Sequence, residues 1–205
     1  MILVLLFYKI SLPLSSSICT VNSNSVIVPL DKELNADDIA DLLNRADVSA
    51  LVYDKNFADR IDSVREQCPN IKFYINTAIE ESDENTLSFD RLIEENKGEF
   101  DVEIDREKMC TILFTSGTTG YPKIAMHSYK YALGHYVTAK YWHMAERDGL
   151  HFTISETGWG KALWGKLYGQ WLCEGAVFVY DFDRFDAEKI LPMFAKYGIT
   201  TFCAP

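Results

Sequence analysis

Thr115-Ser116-Gly117-Thr118-Thr119-Gly120-Tyr121-Pro122-Lys123 sets hydroxyls, two glycines and one lysine in nine consecutive positions, directly after the apolar run Cys110 to Phe114. Phosphate binding calls for this composition. Small residues let backbone N–H groups turn toward an anion, hydroxyls add donors, and a lysine brings a mobile positive charge. The whole chain carries a net charge of −10, so a polyanion has little reason to approach most of its surface. Phosphate binding therefore needs a local device, and this loop is the candidate.

Two familiar phosphate motifs are excluded by spacing. A Walker A loop places Gly-Lys-Ser/Thr at the start of a helix, whereas here Pro122 precedes the lysine and Ile124-Ala125 follows it. The residue before a proline avoids the helical region, so Lys123 is expected to leave the loop in extended geometry. The dinucleotide fingerprint GxGxxG is also absent. Other residue types offer less. The histidines at 127, 135, 143 and 151 fall eight apart, a spacing without helical meaning, and no i, i+4 pair suggests a metal site. Five cysteines without a CxxC pair read as reduced thiols in a cytoplasmic protein.

The elements that must position the loop follow from periodicity. Val26 to Leu30, Ala50 to Tyr53 and Ile71 to Ile75 read as strands. Between them lie a helix capped by Asn35 and one marked by Phe57, Ile61, Val64 and Cys68. An acidic stretch from Thr77 to Asp105 reads as a surface excursion with one helix from Ser88 to about Asn96. The alternation then resumes: strand Cys110 to Phe114, loop, helix from Ser128, strand Phe152 to Ile154, helix through Leu163 and Trp171, strand Val177 to Tyr180. A helix capped by Asp186 and a strand over Ile199 to Ala204 complete it. Pro192 predicts a kink or a late start in that last helix. The pattern predicts an α/β fold, with parallel-rich sheets and flanking helices. A composition shift near residue 100 marks a possible subdomain boundary. Met1 to Phe7 is apolar but lacks a basic start and is too short to span a bilayer, so a strand or a non-native start is expected rather than a secretion signal. The acidic balance argues against nucleic acid or an anionic membrane as partner.

Residues 115 to 123 resemble the phosphate loop of the adenylate-forming (AMP-binding) family of acyl-CoA synthetases, luciferases and adenylation domains, at every fixed position of its pattern. Ile154-Ser155-Glu156-Thr157-Gly158-Trp159-Gly160-Lys161 resembles the segment that follows this loop in acetyl- and medium-chain acyl-CoA synthetases, and His127-Ser128-Tyr129 fits the same branch. The likeness runs from about residue 24 to 205, which reads as part of the N-terminal adenylation domain, and leaves residues 1–23 unplaced.

The resemblance implies ATP-dependent activation of a carboxylic acid to an acyl-adenylate, then transfer to the thiol of coenzyme A. Thr115, Ser116, Thr118 and Thr119 would bond the β- and γ-phosphates. Gly117 and Gly120 would admit backbone amides, and Lys123 would act catalytically by neutralising the leaving pyrophosphate. Trp159 and Gly160 would shape the acyl end. The family's adenine, ribose and Mg²⁺ ligands and its C-terminal catalytic lysine have no counterpart in these residues, so the chain reads as a fragment, inactive alone. A carrier-protein thiol as acceptor, or a non-catalytic nucleotide-binding remnant, are the alternative readings.

Overall fold

The computed structural model describes residues 1–6, 23–98, 101–115, 121–155, 158–182 and 185–204. In chain order the first elements are β1 (Ile2–Leu6), β2 (Val26–Pro29), α1 (Ala36–Arg45), β3 (Ala50–Tyr53) and α2 (Ala58–Val64). β4 (Phe73–Asn76), β5 (Leu87–Ser88), α3 (Phe89–Glu95), β6 (Met109–Thr115) and β7 (Lys123–Ser128) follow. These strands form one seven-stranded sheet in the order β5-β4-β3-β1-β2-β6-β7. β1 lies parallel between β2 and β3, so the apolar start of the chain is an interior strand. β6, after the acidic stretch, pairs with β2, before it, so this sheet takes strands from both sides of residue 100.

Side chains that alternate along the strands sort into two cores. On one face Val4, Val28, Leu51 and Tyr53 pack with Ile39, Leu42 and Leu43 of α1 and Ile61 and Val64 of α2. On the other, Leu3, Ile27, Ala50, Val52 and Cys110 pack with Leu163, Trp164 and Leu167. Burial on both faces is what a parallel sheet under helices requires. α1 forms where expected: the Asn35 side-chain oxygen accepts from the Asp38 amide at 2.9 Å, and the Ile39/Leu42/Leu43 stripe faces inward. Each of those buried leucines contributes about 2 kcal/mol relative to exposure.

One element beside the candidate loop departs from the expected order. The stretch from Lys123 to Ser128, read as the loop's exit into a helix, is the strand β7, antiparallel to β6. A short connection can return only as a hairpin, because a parallel return needs a crossover of about a dozen residues.

The second half builds a smaller parallel sheet. α4 (Tyr129–Tyr141), β8 (Leu150–Thr153), α5 (Gly160–Leu163), a π turn (Trp164–Tyr168), α6 (Gly169–Leu172), β9 (Ala176–Phe178), α7 (Ala187–Tyr197) and β10 (Thr201–Cys203) follow in sequence. The strand order is β10-β8-β9. Phe152, fully buried, is its packing centre, edge-on to Phe178 at 5.3 Å and beside Phe202 at 5.7 Å. α7 starts at Ala187, on the Asp186 cap, and runs through Pro192, so the late start expected from that proline does not occur. The cap fixes the first turn, and the missing amide removes one hydrogen bond from the second. Among the described residues no helix is long and apolar enough to cross a membrane.

Two buried ionisable groups follow from this packing. His151 on β8 is 2% exposed and sits between hydroxyls, Nδ1 2.7 Å from Thr201 Oγ1 and Nε2 2.6 Å from Thr153 Oγ1. Burial, with nearby His143 and Lys166, lowers its pKa from 6.5 to about 4. Lys166, turned inward by the π turn, is fully buried, and among the described residues its Nζ has no hydrogen-bond partner. Burial lowers its pKa to about 8, against the pull of Asp181.

Both groups make stability depend on pH, and the sign follows from which state holds the proton. The unfolded state takes up the His151 proton first, so stability falls as pH drops from 6.5 toward 4. In urea titrations the wild type is expected to lose about 3 kcal/mol more than His151→Gln between neutrality and acid. An equal loss in both would refute the assignment. Lys166→Met removes a charged group held in an apolar site. It should stabilise the chain by about 2 kcal/mol at neutral pH, a gain that shrinks as pH rises past 8, where the folded-state lysine sheds its proton.

Candidate functional site

β6 carries the chain to the candidate loop and β7 carries it away. Thr115 and Lys123 are the last registered pair of that hairpin, and the Thr115 hydroxyl donates to the Lys123 carbonyl at 3.5 Å. The loop is thus mounted on paired strand ends, with Lys123 extended, as expected, and exposed. Ser116, Gly117, Thr118, Thr119 and Gly120 lie outside the described residues.

Sequence reasoning overlooked one group at the loop. Arg45, in the last turn of α1, donates through Nη2 to the Pro122 carbonyl at 2.6 Å. Its guanidinium carbon lies 5.7 Å from the Phe114 ring centre, and Nη1 reaches Asp41 at 3.3 Å. Arg45 therefore fastens the loop's exit to α1 and places a second cation beside Lys123. No local signal marks it, since a basic residue ending a helix serves the helix dipole equally well.

A pocket of about 520 Å³ opens beside these strand ends. Its walls come from the end of β2 (Pro29 to Asp31), from Leu34 and Leu42, from the end of β6 (Leu113 to Thr115), and from Pro122 and residues 158–160. The lining is mainly apolar, and the size is within the roughly 300–1,000 Å³ of small-molecule sites. Thr115, Trp159 and Gly160, separate in sequence, thus line one cavity, whereas Lys123, the strand partner of Thr115, is not among the lining residues. Trp159 is 60% exposed, so it is not a core aromatic. Its indole N–H donates to Asp31 Oδ2 at 3.2 Å.

Gly158 brings that segment against β2. A Cβ there would lie 2.5–2.6 Å from the Asp31 amide nitrogen, the Asp31 Cα and the Leu30 carbonyl carbon. These are backbone atoms that cannot step aside, so a residue without a side chain is required. At Gly160 the nearest obstacle is the tip of the Leu113 side chain at 2.8 Å, which can move.

Behind Gly160, Trp164 stacks on His135 at 5.6 Å with rings 5° apart, and Tyr131 lies edge-on at 5.0 Å. His127 completes this group, and His143 stacks on His151 at 5.1 Å. The evenly spaced histidines are therefore neighbours in two clusters, His127 with His135 around Trp164 and His143 with His151. Burial pushes the His127, His135 and His143 imidazoles below their ordinary range. Among the described residues no group of three or more His, Cys, Asp or Glu could hold a metal ion. Cys68, Cys110, Cys173 and Cys203 are free thiols, and burial raises the pKa of the first three, which makes them poor nucleophiles.

A cavity at the carboxyl ends of the parallel strands β2 and β6, with Thr115 and Pro122 in its wall, stands where open α/β sheets commonly place a ligand site. The model of the AMP-binding enzyme family matches residues 19–205, and the chain belongs to that family. It is 31% identical over 191 residues to the human mitochondrial acyl-coenzyme A synthetase ACSM4, covering 92% of this chain and 33% of that protein. With human mitochondrial ACSM3 the identity is 26%, over 92% of this chain and 32% of the other. The chain thus spans about a third of the length of these relatives. Among solved structures, a Brucella canis acyl-CoA synthetase superposes with a TM-score of 0.87 at 14% identity, over 99% of this chain and 37% of that one. The anthranilate CoA ligase AuaEII, in complex with anthranoyl-AMP, gives 0.84 at 19%, over 98% and 38%. At those identities the superpositions speak for the fold.

The close approach at Gly158 is testable by substitution. Gly158→Ala should destabilise the chain by about 1–3 kcal/mol and Gly160→Ala by less, because backbone blocks the first methyl and a movable side chain the second. Equal costs in thermal unfolding would contradict that distinction.

Proposed function

We propose that this chain forms part of an ATP-dependent acid–thiol ligase that activates a carboxylic acid, of fatty-acid type, to an acyl-adenylate and then to a coenzyme A thioester. One observation carries the reading: Thr115 and Pro122, on either side of the hydroxyl-and-lysine loop, line the apolar cavity that Trp159 borders. A polar loop beside an apolar pocket suits a substrate pair of a nucleotide and an acid with a greasy tail. The relatives named as acyl-coenzyme A synthetases support the same direction.

In the first step a carboxylate oxygen attacks the α-phosphorus of ATP. An O–P bond forms as the bond to pyrophosphate breaks. In the second step a thiol attacks the acyl carbonyl, loses its proton and expels AMP. In-line displacement at phosphorus depends on alignment and on stabilising charge. Lys123 offsets the charge on the departing pyrophosphate and Thr115 donates to a phosphate oxygen, with Ser116, Thr118, Thr119 and the amides at Gly117 and Gly120 completing the cradle. The donor set fits a triphosphate, being hydroxyls and an ammonium with the Arg45 guanidinium close by. On this reading the Mg²⁺ ligands lie outside this chain. The apolar walls take the acyl tail, and Asp31, an anion at the cavity, directs the substrate carboxylate away from itself and toward the loop. The cytoplasm is the compartment this reading assigns, from the cysteine usage.

Titration of this chain with a nonhydrolysable ATP analogue should show saturable binding that Lys123→Ala weakens about tenfold. No binding by the wild type, or equal binding by the variant, would overturn the loop's role. In a polypeptide that supplies the remaining length of the relatives, carboxylate-dependent exchange of pyrophosphate into ATP would demonstrate the first step. Coenzyme A set against a carrier-protein thiol would identify the acceptor.

A further inference from the structure

Asp31 is a carboxylate at the end of β2 whose two oxygens have separate partners. Oδ1 accepts from the Glu33 amide at 3.0 Å and closes a tight local turn. Oδ2 accepts from the Trp159 indole N–H at 3.2 Å, across 128 residues of sequence. The turn is itself fixed from below, because Arg60 on α2 donates to the Lys32 carbonyl at 3.0 Å and to the Leu34 carbonyl at 2.7 Å. Against this platform Gly158 packs without room for a methyl group. The backbone before Trp159 is thus clamped, while its indole, more than half exposed, has little packing to hold it. The bond to Asp31 is its tether. Both residues line the same apolar cavity as Leu34 and Phe114.

From this geometry we infer that Asp31 is a positioning residue for acyl selectivity: by holding the Trp159 indole as a wall of the cavity, it sets the length of carboxylic acid the site accepts. The inference rests on the reading of the cavity as the acyl site. A tethered indole closes one end of the space, so acids beyond a given length must displace it and break a charge-assisted hydrogen bond. An untethered indole swings on its χ angles and admits longer tails at little cost. Asp31 does this through the indole it holds, and its charge keeps the anionic head of the acid at the opposite end.

The test is a set of dissociation constants for straight-chain alkanoates, from butanoate to dodecanoate, measured on the full chain. The proteins are the wild type, Asp31→Ala, Trp159→Phe and the double variant. Trp159→Phe keeps an aromatic ring but loses the N–H, and it leaves the Asp31 turn intact, so it decides the matter even where Asp31→Ala fails to fold. Each single variant should raise affinity for long acids over short ones by about two- to tenfold relative to the wild type. The double variant should shift no further than either single, since both cut the same bond. A general loss of affinity with an unaltered length profile would overturn the inference, as would shifts that simply multiply in the double variant. If the wild type binds no alkanoate of any length, the acyl reading of the cavity fails and the selectivity role fails with it. A wild type that binds, with variants that leave its profile unchanged, sinks the role of Asp31 alone.

Discussion

The parallel pairing of β2 with β6 is the constraint on which the site depends. Ile27 and Thr111 face one another in that pair, both without exposed surface. Because the two strands run the same way, their carboxyl ends emerge on one edge of the sheet. Pro29 to Asp31 and Phe114 to Thr115 therefore stand side by side although more than eighty residues of sequence separate them. Ligand sites at the carboxyl edge of such sheets follow from this arrangement, because loops converge there and helices cover both faces. An antiparallel pairing would have sent the two ends to opposite edges and left no cavity between them.

Around that edge the chain adds three attachments of different physical kind. The β6–β7 hairpin fixes the two ends of the loop by backbone pairing. Arg45 fixes its exit by a guanidinium–carbonyl bond. Gly158 fixes the tryptophan segment by close backbone contact. The attachments are short in range and do not depend on the net charge of the chain, which at −10 would otherwise repel a triphosphate.

Much of the fold was legible in the sequence. Apolar runs at 26–29, 50–53 and 109–115 became strands within a residue or two of their expected ends, Asn35 and Asp186 capped the helices they were expected to cap, and the helix expected from Ser88 begins on that residue as its cap. β7 escaped because its residues, Lys123 to Ser128, form an edge strand with Ile124 and Met126 exposed, so no buried stripe marks it. Strand ends in the smaller sheet moved because Leu150 and Thr200 are joined by a hydroxyl and a backbone bond, which periodicity does not report. At the site, the loop composition and the glycines flanking Trp159 were visible. Asp31 and Arg45 were not, because each acts on a residue 128 or 77 positions away, and contact at that distance is decided by topology rather than by local pattern.

The π turn gives the second half an unusual tolerance. Between Trp164 and Gly169 the amide reaches back five residues instead of four, so one residue there is surplus to the regular ladder. Loss of a single residue from that stretch would let the helix close up into ordinary α geometry, an adjustment the backbone makes readily. Everything after it would keep its present phase, and Gln170 would still face His143, to which it lies at 3.0 Å. The helix thus holds a built-in point of slack, a place where evolution can drop one residue while the rest of the element stays where it is.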